Sequence, residues 1–208
     1  MSAADGGTRG GALTPSRVLD TAEEVLRRYG LAKTTVVDVA RALGVSHGSV
    51  YRHFPSKSAL RDAVARRWLA RVSRPLHAIA EGTGGATVRL HAWLRELSAI
   101  KRRMAREDPE LFATYHRLAV ESGAVVATHV DELAAQVARI VADGLAAGEF
   151  TVADPAVTAR AVLNATSRFH NPVNAADWDS PGLDAEFDAV WRLLLHGLSA
   201  PAAATPPG

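Results

Sequence analysis

Gly44 lies between two apolar stretches that are each too short to be stable alone. Val36, Val39, Ala40 and Leu43 recur with helical spacing, and so do Val50 and Phe54 before Pro55 closes the second stretch. Helices of about two turns do not persist by themselves in water, so the two must brace each other. The residue between them has to turn the chain sharply, which glycine does without a steric cost. The pattern predicts a helix-turn-helix. Its first helix opens at Thr34-Thr35 and its second runs from about Ser46 to Phe54. Thr35 and Asp38 have capping-box spacing, with Asp in place of Glu, and Ser46 is a natural N-cap.

The flanks extend this unit. Thr14 caps a first helix with Pro15 at its opening position. Val18, Ala22, Val25, Leu26 and Tyr29 share one face of it, and Gly30 ends it. Ser56 opens a further helix, with Leu60, Val64, Trp68 and Val72 inward, that ends or kinks near Pro75. The segment Glu81–Gly85, EGTGG, marks a boundary. Helices are then expected at about 86–106, 109–121, 123–147, 155–170 and 182–199, and no useful stretch shows the alternation of a half-buried strand. The expected fold class is all-α: an N-terminal three-helix helix-turn-helix domain, then a larger helical ligand-binding and dimerisation domain. The expected boundaries are a disordered arm over 1–13, the first domain over 14–75, the second over 86–199, and a Pro/Ala-rich disordered tail over 200–208.

Charge separates the two parts. The formal net charge is +2, yet residues 1–75 carry 13 Lys/Arg against 6 Asp/Glu, while residues 76–208 carry 11 against 16. A basic front on an acidic body suits a polyanionic partner for the front alone, or a solvated Arg-rich surface. The chain has no Cys, which excludes disulfides, thiolate catalysis and Cys-ligated zinc. No apolar run is long enough for a membrane span, and the N-terminus lacks the apolar core of a secretion signal. The eight His residues show no HExxH or other metal spacing. No phosphate loop, dinucleotide-binding turn or nucleophile elbow is present. Catalysis, a cofactor and a metal site are therefore not expected.

The outward face of the Ser46–Phe54 helix follows from a rotation of about 100° per residue. With Val50 inward, Gly48 and Arg52 lie opposite it, Ser49 and Tyr51 flank them, and His47 stands at the helix start. Gly48 costs about 1 kcal/mol in a helix. Either it admits another backbone or a DNA strand at close range, or it relieves crowding at the helix start. Lys57 is also locally unfavourable, because the positive end of a helix dipole disfavours a cation. A phosphate bound there would reverse that penalty, and the alternative is a solvated lysine.

The run TTVVDVARALGVSHGSVYRHFPSKSALRDAV, Thr34 to Val64, resembles the DNA-binding domain of TetR/AcrR-type transcriptional regulators. The marks are Thr-Thr opening one helix, Ala-x-x-x-Gly-Val-Ser at the turn, Gly-x-x-Tyr-x-His-Phe in the next helix, and Lys57 followed by Leu60. The resemblance covers about residues 14–65. Beyond residue 86 only length and helical character agree. By this resemblance Thr35 touches the DNA backbone, and Ser46, His47, Gly48 and Ser49 face bases or nearby phosphates. Tyr51, His53 and Lys57 bond phosphates, and Arg52 meets a base or a phosphate. His53 alternatively bonds within the domain. The resemblance also implies a cytoplasmic homodimer on double-stranded operator DNA, released by a small apolar effector.

The body offers candidates for that effector. Trp93, Leu97, Ile100 and Met104 form one stripe, Phe112, Tyr115 and His116 a second group, and Asn164, Arg168 and Phe169 a third. Trp93, Leu97, Phe112, Tyr115, His116, Asn164, Arg168 and Phe169 line an apolar pocket in one reading and form ordinary core in the other. Trp191, Leu194, Leu195 and Leu198 make a stripe suited to a self-complementary dimer face. Three functions fit: an effector-responsive repressor, a DNA-binding regulator controlled by a protein partner, and an all-helical ligand-binding protein with an incidental basic front.

Overall fold

The computed structural model of the chain describes residues 12–31 and 34–199. Its regular structure is entirely helical among those residues, as the periodicity predicts. The arm expected over 1–13 lies outside the described residues up to position 11, and the tail expected over 200–208 lies wholly outside them. The chain divides into two compact units, residues 1–64 and 65–208.

The first unit holds α1 (Pro15–Tyr29), α2 (Val36–Leu43), α3 (His47–Tyr51) and the opening turns of α4 (Lys57–Ala80). Thr14 Oγ1 accepts from Arg17 N at 3.2 Å, so the cap read from the sequence forms. Its core joins Val18, Ala22 and Leu26 of α1 to Val36 and Val39 of α2 and Val50 of α3, all buried. Tyr29, expected on the inward face, is 57% exposed. It occupies the last position of α1, and the Arg28 guanidinium covers its ring at 5.3 Å. Thr34, by contrast, is buried and donates to Gly30 O at 3.1 Å, and Arg61 donates to Leu31 O at 2.6 Å.

The second unit holds the rest of α4, then α5 (Ala86–Glu107), α6 (Pro109–Glu121), α7 (Gly123–Ala146), α8 (Pro155–Ala165) and α9 (Leu183–Ser199). Two 3-10 turns, Ser167–Phe169 and Pro172–Asp177, stand between α8 and α9. Asp108-Pro109 and Asp154-Pro155 open α6 and α8, each Asp accepting backbone N–H groups of the first turn.

Two differences from the sequence reading have local causes. α4 does not end at Pro75 but continues to Ala80. The proline forfeits one helical hydrogen bond, while Val72, Leu76 and Ala80 on one stripe are all fully buried and hold the helix together. α8 stops at Ala165, short of residue 170. There the Thr166 hydroxyl donates to Val162 O at 2.8 Å, and the chain tightens into the 3-10 turn.

The unit boundary falls within α4 because the residues after Val64 pack into the second core. Trp68 stacks on Tyr115 with centroids 4.9 Å apart. Gln136 ties three helices: it accepts from Trp93 Nε1 at 2.9 Å and donates to Ser73 O at 3.2 Å. The 81–85 segment joins α4 to α5 in the second unit. Arg89 clamps it by donating to Ala80 O, Gly82 O and the Asp143 carboxylate. Glu149 takes the place of a cap for α5, accepting from Ala86 N and Thr87 N at 2.8 and 2.9 Å. Those bonds hold its carboxyl pKa below the usual carboxylate value.

Candidate functional site

In the first unit, α2 and α3 are held by their ends. Thr35 Oγ1 accepts from Asp38 N at 3.2 Å, so the N-cap forms, but the Asp38 carboxylate accepts from the Thr35 hydroxyl at 2.5 Å rather than from its backbone N–H as a capping box would have it. Gly44 adopts the left-handed conformation, φ 67° and ψ 29°. Gly44 N donates to Arg41 O, and Val45 N reaches back to Ala40 O at 3.1 Å, which is a Schellman end. Ser46 Oγ then accepts from Ser49 N at 3.2 Å to start α3. α3 is a regular helix only to Tyr51, not to Phe54. Helical bonding persists a little further, because Phe54 N still donates to Val50 O at 3.0 Å. Pro55 has no N–H to continue the helix and disfavours helical geometry at Phe54.

Val50 is buried, and this points the other side of α3 to solvent. Ser46, His47, Gly48, Tyr51, Arg52 and Lys57 are exposed, whereas Thr35, Ser49 and His53 are half-buried. All nine therefore lie within one compact unit and are exposed or half-buried. A Cβ placed on Gly48 would meet only Ser46 Oγ, at 3.9 Å, an ordinary contact. Crowding within the unit does not explain the glycine.

The second unit carries a cavity of about 420 Å³ that opens to solvent past Val120 and Val130. Trp68 and Leu69 of α4, Leu97 and Lys101 of α5, and His116 and Val120 of α6 form part of its wall. The rest comes from α7 (Val126, His129, Leu133), from Leu163 and Asn164 of α8, and from the turn carrying His170 and Asn171. Of the residues proposed from sequence, Leu97, His116 and Asn164 line the cavity. Trp93, Phe112, Tyr115, Arg168 and Phe169 do not. Trp93 is fully buried with its N–H on Gln136. Phe112 and Tyr115 pack on Trp68 as core. Phe169 packs edge-on against Phe187. Arg168 projects to solvent, where Glu186 and Asp177 hold it.

The sequence reading missed Lys101, His129 and His170. Lys101 carries a signal, since it follows Trp93 and Leu97 at four-residue intervals on an apolar stripe. Lys101 is 6% exposed. Burial pushes its ammonium down to about 8. Burial, reinforced by the Lys101 charge, pushes both His129 and His170 down to about 4, so both are neutral at neutral pH. His170 Nε2 lies 3.2 Å from Thr166 Oγ1. His129 Nε2 is buried and has no hydrogen-bond partner among the described residues. No group of three or more His, Asp or Glu among those residues is placed to hold a metal ion.

On α9, Leu198 is buried, Trp191, Leu194 and Leu195 are half-buried, and Leu193 is 75% exposed. Leu198 of the expected dimer stripe thus faces its own subunit. Trp191 rests against the His91 ring at 4.9 Å.

Two short capped helices joined at a left-handed glycine, the second with a polar outward face, form a helix-turn-helix unit, and a helical body with a cavity follows it. Residues 18–64 match the family model for bacterial regulatory proteins of the tetR family, and residues 86–191 match that for the tetracyclin repressor-like C-terminal domain. The chain belongs to the TetR family. It is 41% identical over 54 residues to the HTH-type transcriptional repressor KstR2 of Rhodococcus jostii, a stretch that is 26% of each chain. The matched part spans about a quarter of the first such relatives' length. Two solved structures share the fold. The Thermobifida fusca regulator of the TetR/AcrR family is 24% identical with a TM-score of 0.58, covering 88% of this chain and 96% of the other. Thermus thermophilus FadR, solved with lauroyl-CoA, is 21% identical with a TM-score of 0.59, covering 93% and 99%.

Proposed function

We propose that this chain is a cytoplasmic transcriptional repressor that binds operator DNA as a homodimer and is released by a lipophilic effector. The observation that carries the DNA-binding part is the outward face of α3. It is polar and basic, Gly48 leaves it flat, and no described residue of the unit crowds that position. Thr35, Ser46 and Lys57 stand at three helix starts, where backbone N–H groups and a cation suit phosphates. Tyr51 and Arg52 are the side chains long enough to reach groove or backbone, and His47, Ser49 and His53 complete the contact set. The two reading helices of a dimer must sit about 34 Å apart. Leu193, Leu194 and Leu195 of α9 are the apolar side chains offered for that dimer.

The cavity supports the effector part. Its volume is within the range of small-molecule sites, and its wall is apolar with a few polar groups. α4 contains Lys57 and also the cavity residues Trp68 and Leu69, so it is the natural element for an effector to act on. FadR of Thermus thermophilus, which shares the fold, is solved with lauroyl-CoA.

The test uses DNA selected from a random-sequence library by the wild-type protein. Gly48→Ala keeps the fold, because its Cβ has room, and is expected to weaken binding by about tenfold or more through the lost close approach. Tyr51→Ala with Arg52→Ala weakens it as well. A Gly48→Ala protein of unchanged melting temperature that binds the selected DNA as wild type does would refute this reading of α3.

A further inference from the structure

We infer that the cavity of the second unit takes a lipophilic monoanion, with a carboxylate-type group on the Lys101 ammonium and the apolar body along the helices. This rests on the effector reading of the cavity and adds the chemistry of its ligand. Lys101 is nearly all buried and has no hydrogen bond or ion pair among the described residues. The ammonium lies 5.7 Å from the centre of the Trp68 ring. A ring face attracts a cation but supplies none of the three hydrogen-bond acceptors that an ammonium seeks.

The surrounding elements do not supply the missing negative charge. α4 contributes Trp68 and Leu69 to the wall, and α6 contributes His116. α7 contributes His129, α8 contributes Asn164, and the following turn contributes Ser167, His170 and Asn171. Among the described residues, no Asp or Glu lines the cavity. A largely buried cation therefore faces three imidazoles and amide or hydroxyl groups, and no described carboxylate of the wall balances it. Natural cores avoid that arrangement, because an unpaired buried charge is among the costliest features a fold can carry.

His129 is the second observation. Its Nε2 is buried, unpaired and part of the same wall as Lys101. One carboxylate has two oxygens and can accept from both an ammonium and an imidazole N–H, so a single ligand group would serve Lys101 and the unpaired His129 Nε2 together. One lysine balances one negative charge, which points to a monoanion rather than a polyanion. Leu69, Leu97, Val126, Val130, Leu133 and Leu163 line the rest and call for a hydrocarbon body.

The full-length protein tests this by displacement of N-phenyl-1-naphthylamine, an uncharged fluorescent probe for the cavity. The competitors are octanoate, 4-phenylbutyrate and 1-naphthaleneacetate, each beside its primary amide. At least one acid is expected to displace the probe at about tenfold lower concentration than its amide, the value of a charge-assisted hydrogen bond. Lys101→Met should still bind the probe and lose the preference for the acid, and Lys101→Arg should keep that preference. Wild-type protein that binds the probe yet favours no acid over its amide would overturn the anion inference and leave the cavity as an effector site. The anion inference also falls if Lys101→Met binds the probe and prefers the acid as strongly as wild type. Wild-type protein that admits no probe would overturn the cavity reading itself, and this inference with it.

Discussion

Lys101 makes a quantitative prediction about stability that needs no ligand. Burial without a carboxylate lowers its pKa from 10.5 to about 8. That drop corresponds to about 3 kcal/mol of cost for the charged form in the fold. In the unfolded chain the lysine keeps its ordinary affinity for the proton. Between pH 8 and 10.5, then, the unfolded state binds more protons than the native state, and stability rises with pH. Below that window both states are protonated, and Lys101 contributes its full cost without any slope. Lys101→Met keeps an unbranched apolar chain and removes the charge. At about pH 7 the variant is expected to be ~2–3 kcal/mol more stable than wild type, a Tm higher by roughly 4–10 °C for a chain of this size. At about pH 9.5 the wild type has released most of that proton, so the gap should shrink by ~2 kcal/mol. Urea unfolding of both proteins across this range gives the difference directly, and other titrating groups cancel in it. A variant less stable than wild type at neutral pH, or a gap that does not change with pH, would refute the argument. Lys101 would then not be an uncompensated buried cation, and the case for an anionic ligand would lose its main support.

Three further outcomes follow from packing and burial. Gly144→Ala is expected to destabilise by about 1–2 kcal/mol in thermal unfolding, although alanine favours a helix, because overpacking outweighs the propensity gain; the new Cβ would stand 2.3 Å from the Phe150 ring and 2.8 Å from Ala86 Cβ. Gln136→Leu strands the buried Trp93 N–H and should cost about 1–3 kcal/mol in urea unfolding. His129→Leu should flatten the acid limb: a buried neutral His with a pKa near 4 makes the unfolded state the better proton binder from pH 6.5 downward, so wild type loses stability over that range. Equal slopes for the two proteins between about pH 6.5 and 5 would contradict this.

The helix starts and the reading turn were legible in the residue string because they are made within a few residues. Thr14-Pro15, Thr35 with Asp38, Ser46, Asp108-Pro109 and Asp154-Pro155 all act across three positions or fewer. Gly44 turns the chain by its own conformation. The outward face of α3 followed from Val50 alone, since in so short a helix one buried residue fixes the direction of the others. Periodicity could not tell where a helix survives its own punctuation. α4 passes through Pro75 because the stripe on which Leu76 and Ala80 lie is fully buried, while α8 yields at Thr166 to a side-chain bond.

The residue string by itself therefore determined the helical class, the caps and the register of the reading unit, since local hydrogen bonds and a 3.6-residue repeat are written there. Tertiary structure alone decided the cavity. Its wall gathers residues from Trp68 to Pro172, brought together by packing over distances that no local pattern encodes. It also decided the state of Lys101. A lysine one helical turn after Leu97 is ordinary on a surface. It becomes a nearly buried charge without a counter-ion only because the other helices bring apolar side chains and histidines against it and, among the described residues, no carboxylate along that wall.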